Sequence, residues 1–198
     1  MILIFDYGAG NIFSLKSAIE RLNANVKVVN SLDESFDGLI LPGVGNFDPA
    51  MRSIRKYKKI IEEAVRSEVP ILGICLGMEM LFNKSEEGRL KGLSILDGEV
   101  TILPEKRVKI PHMGWNNLLI SKDSKLLKGL KNNSWLYFVH SYRVKPKNKS
   151  IVVGEAEYGI RFPVVVEYKN LFGTQFHPEK SEKNGEIILR NFIEMCRK

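Results

Sequence analysis

The segment Val69-Pro70-Ile71-Leu72-Gly73-Ile74 runs without a break into Cys75-Leu76-Gly77, and few folds can house that order of residues. The apolar run reads as a buried strand, and the stretch from Leu76 to Phe82 reads as a helix. Between them lies a single turn, Gly73-Ile74-Cys75-Leu76-Gly77, a strand-to-helix elbow of the form G-x-nucleophile-x-G with cysteine as the nucleophile. Such a turn is so tight that a Cβ on either flank would clash. It lifts the Cys75 thiol out of the sheet and sets it at a helix N-terminus, where unsatisfied N–H groups favour thiolate. The N–H of the next residue, Leu76, points where an oxyanion would form. Free cysteines are most often merely buried. Paired glycines at a strand–helix junction set this one apart.

The rest of the first half supports the same architecture. Ile2 to Phe5, Val26 to Val29 and Gly38 to Leu41 are short apolar runs. They alternate with helical patterns that begin after Asn11 and span about 47 to 67, the signal for βα units and a parallel sheet. The second half is strand-like at Gly98 to Leu103, Trp135 to Tyr142, Ile151 to Glu157 and Val164 to Tyr168. A turn at Lys169-Asn170 leads into Leu171 to Phe176, and an amphipathic helix from Glu186 to Cys196 closes the chain. With 198 residues against about 150 per domain, the expectation is one α/β domain over 1–198, with a central mixed, mostly parallel sheet flanked by helices.

Composition narrows the function classes. The net charge of +7 invites a nucleic-acid reading, but its placement argues otherwise. Residues 121–150 hold eight basic side chains and one acid, Asp123, while the remaining positions balance. Those lysines lack interleaved aromatics and read as a solvated surface. No run approaches the ~20 apolar residues of a membrane span. The start, Met1-Ile2-Leu3-Ile4-Phe5-Asp6, has no basic n-region or cleavage site. Two cysteines, Cys75 and Cys196, make no disulfide framework. The expectation is a cytoplasmic chain with neither nucleic acid nor membrane as partner.

A thiol nucleophile needs a base, and the base needs a group that orients it. Phe176-His177-Pro178-Glu179 follows an apolar strand. His177 can be the base and Glu179 its orienter, since residues i and i+2 of an extended segment share a side. His112 and His140 compete for the role, but neither has an acid two residues on. Leu41-Pro42-Gly43-Val44-Gly45 ends another strand, and its glycines let the Val44 peptide present an N–H toward the thiol.

Oxyanion loop, cysteine elbow and terminal His-Pro-Glu, in that order, resemble the class I glutamine amidotransferases of the triad type. Further segments resemble the glutaminase branch of that family that serves histidine biosynthesis. These are Asp6-Tyr7-Gly8-Ala9-Gly10-Asn11, Pro111-His112-Met113-Gly114-Trp115-Asn116, Val139-His140-Ser141-Tyr142 and His177-Pro178-Glu179-Lys180-Ser181. The resemblance covers essentially the whole chain. It implies that Cys75, His177 and Glu179 hydrolyse L-glutamine through a thioester, with the N–H groups of Val44 and Leu76 holding the oxyanion. It places substrate contacts at Gly43, Gly77, Glu79, His140, Ser141 and Tyr142. It implies a (β/α)8-barrel cyclase as partner, met at Asn11, Trp115 and Lys180, and neither metal nor cofactor. One position departs: the family usually reads G-x-C-L-G-M-Q, and Glu79 stands where that glutamine is expected. A carboxylate there could accept from the substrate α-ammonium, but it would repel the α-carboxylate and disfavour thiolate.

Other readings are a glutaminase serving a different synthase, a γ-glutamyl hydrolase that works alone, and a non-catalytic scaffold. His112 to Asn116 and Lys180 argue against the first. Activity without a partner would mark the second, and the intact Cys75, His177 and Glu179 speak against the third.

Overall fold

The structure is a computed structural model that describes residues 1–8 and 11–197. Ala9 and Gly10 of the Asp6–Asn11 segment therefore lie outside the described residues. The chain begins as alternating strands and helices: β1 (Ile2–Phe5), α1 (Ile12–Arg21), β2 (Val26–Val29), β3 (Gly38–Leu41), α2 (Phe47–Ile54), α3 (Lys58–Arg66), β4 (Ile71–Ile74) and α4 (Leu76–Glu79). It continues through strands β5 (Lys84–Ser85), β6 (Gly98–Ile102), β7 (His112–Ile120), β8 (Ser134–His140), β9 (Tyr142–Pro146), β10 (Val152–Glu157), β11 (Arg161–Tyr168) and β12 (Leu171–Thr174). Helix α5 (Glu182–Cys196) ends it.

Among the described residues, nine strands form one sheet in the order β2-β1-β3-β4-β12-β11-β10-β7-β8. The pairings from β2 to β12 are parallel, and those from β12 to β8 are antiparallel. A smaller sheet, β5-β6-β9, stands beside it. The parallel strands are apolar on both faces because each face has its own core. Ile2, Ile4, Ile40, Leu72 and Ile74 pack on one side with α1 and α5, whereas Leu3, Phe5, Leu39, Leu41 and Ile71 pack on the other with α2 and α3. That is the expected look of strands covered by helices on both sides.

Three elements differ from the sequence reading. The helix expected over 47–67 is broken by a 3-10 turn at Arg55–Tyr57. The break turns Tyr57 inward, where its ring meets the edge of Phe5 at 5.5 Å between centroids. The helix after Cys75 is only one turn long, ending at Glu79. Strand β7 was not anticipated as a strand, because its polar run Gly114-Trp115-Asn116-Asn117 lacks apolar alternation.

Candidate active site

Strands β4 and β12 are parallel neighbours, with Thr174 opposite Ile74, and the Cys75 N–H donates to the Thr174 carbonyl at 2.6 Å. The chemistry-bearing residues leave the carboxyl ends of these two strands, the usual place for a site on an open α/β sheet. A larger cavity of about 650 Å³ lies at the opposite strand ends, among Asp37, Pro70, Asn170 and Cys196. It contains none of the residues discussed below.

Cys75 adopts φ +50° and ψ −109°. For a residue with a Cβ this conformation costs on the order of 1–3 kcal/mol and persists only where the surroundings impose it. The glycines impose it. A Cβ on Gly73 would sit 2.6 Å from the Met78 nitrogen, and one on Gly77 would land on the Leu41 carbonyl oxygen at the end of β3. Gly77→Ala is therefore expected to destabilise the fold by about 3 kcal/mol or more. That corresponds to a melting temperature lower by about 6–12 °C for a chain of this size. Thermal unfolding followed by circular dichroism would measure it, and an unchanged melting curve would mean that the elbow tolerates a Cβ.

The thiol itself departs from expectation. Burial, then the charge of Glu79, pushes Cys75 well above the ordinary thiol range, while hydrogen bonds from the Leu76 N–H and Gln175 oppose the shift. Helix α4 is too short to contribute much dipole, so desolvation wins and the thiol rests protonated. Sγ donates to the Val139 carbonyl at 3.8 Å and accepts from Gln175 Nε2 at 3.7 Å.

His177 Nδ1 meets Glu179 Oε1 at 2.8 Å, with both side chains almost wholly buried. Because a carboxylate only accepts, Nδ1 carries a hydrogen, and Nε2 is the ring nitrogen left to exchange a proton with substrate or thiol. Nε2 is buried without a hydrogen-bond partner, so no thiol–imidazole bond is closed. Glu179 reaches the ring across a 3-10 turn, Pro178–Lys180, rather than along an extended segment. Ser181 locks that turn: its Oγ donates to the His177 carbonyl at 2.7 Å and accepts from the Tyr137 N–H at 2.9 Å.

A cavity of about 250 Å³ opens on Cys75, lined by Val44, Gly45, Leu76, Glu79, Glu87, Pro111, His140, Ser141 and Tyr142. Gly43 approaches so closely that a Cβ there would stand 2.6 Å from the Leu76 nitrogen. Only glycine lets the Pro42–Gly45 loop lie against the elbow. Glu79 is 4% exposed, and its Oε1 accepts from Gln175 Nε2 at 3.1 Å. Burial pushes its carboxyl up to about 7.

His140 and His112 are not bases. His140 Nδ1 donates to the Tyr142 carbonyl at 2.6 Å, which leaves Nε2 to accept from His112 Nδ1 at 2.9 Å. Burial holds them down to about 3 and about 4, so both are neutral imidazoles bracing the turn between β8 and β9.

Near this site is an exposed apolar patch. Met113 and Trp115 share a face of β7 at 63% and 44% exposure. The Trp115 ring meets Tyr137 edge-on, and Lys180 Nζ stands 5.8 Å from the Tyr137 ring centre. Asn11 caps α1 by accepting from the Ser14 N–H at 3.2 Å. Among the described residues, no group of three or more His, Cys, Asp or Glu is placed to hold a metal ion. Sequence reasoning missed Gln175, Glu87 and the bracing role of Ser181. Gln175 carried a usable signal, a polar residue inside the apolar approach to His177.

Known proteins match the chain over nearly its whole length. The family profile "Glutamine amidotransferase class-I" matches residues 3–196. The imidazole glycerol phosphate synthase subunit HisH of Methanocaldococcus jannaschii is 50% identical, over 98% of this chain and 100% of its own. The same subunit from Aquifex aeolicus is 44% identical, over 96% of this chain and 94% of its own. Among solved structures, that of PurLQS from Thermotoga maritima aligns with a TM-score of 0.77 at 18% identity, covering 98% of this chain and 97% of that one. At that identity it speaks for the fold alone.

Proposed function

The chain belongs to the class-I glutamine amidotransferase family, and on that premise we propose that it is the glutaminase of an imidazole glycerol phosphate synthase, passing ammonia to a cyclase subunit. The observation that carries the reading is Cys75, held at φ +50° on a strand–helix elbow beside the strand that delivers His177 and Glu179. All of residues 1–198 serve as one glutaminase unit in the cytoplasm; no helix among the described residues is long and apolar enough to cross a membrane.

Glutamine enters the cavity at Cys75 with its amino-acid end toward Glu79, Glu87, Ser141 and Tyr142. The two carboxylates supply negative charge to its α-ammonium, and Gly43, Gly77 and His140 shape the walls. His177 Nε2 takes the thiol proton as Sγ attacks the side-chain amide carbon. The oxyanion so formed accepts from the backbone N–H groups of Leu76 and Val44. His177 returns the proton to the leaving nitrogen, releasing ammonia and leaving a γ-glutamyl thioester. Water, deprotonated by the same nitrogen, then cleaves the thioester to glutamate and restores the thiol.

The resting arrangement supports a glutaminase that waits on its partner. The thiol is protonated, buried and bonded to Val139 rather than to His177. The exposed Met113 and Trp115, with Asn11 and Lys180, offer the face that a barrel cyclase would cover. Strand β7 pairs with β8, which carries the Val139 carbonyl that holds the thiol, so a partner docked there bears on the strand that restrains Cys75.

The test is glutamate release by the chain alone, with cyclase, and with cyclase plus its nucleotide ligand. Release is expected to rise by about 10²–10³ in the last mixture, the worth of one completed oxyanion donor. A brisk rate from the chain by itself would instead identify a hydrolase that works alone.

A further inference from the structure

Gln175 stands one residue beyond β12 and two before His177, and the mechanism above leaves it without a task. It is wholly buried, with its backbone N–H held by the Val164 carbonyl at 2.8 Å. Its side-chain nitrogen donates to Glu79 Oε1 at 3.1 Å and to Cys75 Sγ at 3.7 Å. One amide thus touches the attacking sulfur and a buried carboxyl together. We propose that Gln175 is a positioning residue that ties the ionisation of Cys75 to the charge on Glu79. The proposal deepens the glutaminase reading and rests on Cys75 being its nucleophile.

The two hydrogens of the amide nitrogen diverge, so one can serve the carboxyl while the other serves the sulfur. Both acceptors gain most from the amide as anions. Two anions in one dry pocket repel, however, and only one of them is cheaply charged at a time. With Glu79 ionised, the thiol keeps its proton and donates to Val139. With Glu79 neutral, the amide N–H stabilises a thiolate without that opposing charge. Burial brings the Glu79 carboxyl up to about 7, so its charge changes in the neutral range. The other titratable groups that face the pair come from separate elements. Tyr7 beyond β1 and Tyr142 on β9 are both pushed above the ordinary phenol value and stay neutral. Glu87, on the loop after β5, adds negative charge, and burial pushes it up as well. Glu179 stays bonded to His177. Glu79→Gln leaves every one of these in place and removes a single charge.

The experiment is the rate of alkylation of the full chain by iodoacetamide across about pH 5–10, which spans the Glu79 titration and reads the thiolate fraction from the rate even below the midpoint of the thiol. Mass spectrometry of the Cys75 peptide keeps Cys196 out of the measurement. The wild type is expected to show a shallow rise in rate, because two linked groups titrate together. Glu79→Gln is expected to label about twofold faster at pH 7, where Glu79 is half ionised, and about tenfold faster by about pH 9, the equivalent of one unit in the ionisation of the thiol. In Gln175→Met, Glu79 loses its side-chain donor and stays neutral to higher pH. Adding Glu79→Gln to that background is then expected to change the rate at pH 8 by less than about twofold. An unchanged rate at pH 8 in Glu79→Gln overturns the proposal, as do equal changes in the two backgrounds. Should Gln175→Met fail to fold, Glu79→Gln decides alone, a faster rate at pH 8 supporting the link and an unchanged one overturning it. Failure of the parent reading looks different: Cys75→Ala would then still release glutamate with the cyclase complex, whatever the labelling profile.

Discussion

Replacing Cys75 with alanine is expected to reduce glutamate release by the activated complex by about 10⁴–10⁶-fold, the range seen when a nucleophile that works in concert with its base is deleted. The loss falls on kcat. Alanine keeps the Cβ, so the φ of +50° is no more and no less strained than before. The deletion removes only two long sulfur contacts, at 3.8 Å and 3.7 Å. The melting temperature should therefore move by no more than about 3 °C, the equivalent of roughly 1 kcal/mol in a chain of this length. The cavity should still take up glutamine, which calorimetry on the variant would show as binding without turnover. A residual rate above a few per cent of wild type would remove Cys75 from the mechanism. Serine at the same position is the sharper control. It restores a hydroxyl of similar shape, but one that the same desolvation keeps protonated even more firmly, so it should rescue little.

That such a prediction can be framed at all reflects how unevenly function is written along this chain. The elbow was legible because its constraint is local. Gly73 and Gly77 are demanded by the backbone atoms of Met78 and Leu41, and any fold that turns a strand into a helix there faces the same clash. The parallel strands were legible for a related reason, since Ile2 to Phe5 and Gly38 to Leu41 must be apolar on both faces. His177 and Glu179 were found as a pair, although the reason offered was incomplete. The 3-10 turn after Pro178, held by Ser181, brings the carboxylate to the ring.

What escaped depends on pairings across distant segments. His112 and His140 each looked like a stray candidate base. The antiparallel register that sets them opposite each other joins residues 28 apart, and burial then makes them neutral props. Strand β7 was hidden by its own sequence: the run Gly114-Trp115-Asn116-Asn117 does not alternate apolar and polar, and Met113 and Trp115 stay exposed. The thiol was misjudged in direction. A helix end by itself favours thiolate, but burial and Glu79 act through the tertiary structure and outweigh one turn of helix. Gln175 links β12 to both Cys75 and Glu79, a relation that appears only once β4 and β12 are neighbours.

Glu179→Gln should separate orientation from charge at the base. The substitution keeps the shape, and a glutamine Oε1 can still accept from His177 Nδ1 in place of the carboxylate at 2.8 Å. It removes the charge that stabilises the imidazolium formed when Nε2 takes the thiol proton. In a site where both side chains are about 95% or more buried, no solvent replaces that charge. The expected fall in kcat is about 10²–10⁴-fold, with the upper end reached if the amide turns its N–H₂ toward the ring and selects the wrong tautomer. Stability should move the other way or not at all. The second carboxylate oxygen is buried without a partner, so a neutral side chain is easier to bury than the native one. Glu179→Asp completes the comparison, because it keeps the charge and shortens the reach by one methylene. If charge dominates, activity ranks Glu above Asp above Gln, and stopped-flow single turnovers should show the loss in the acylation step. If Gln instead exceeds Asp, the carboxylate serves His177 mainly as a brace. The oxyanion loop would then have to supply most of the electrostatic stabilisation.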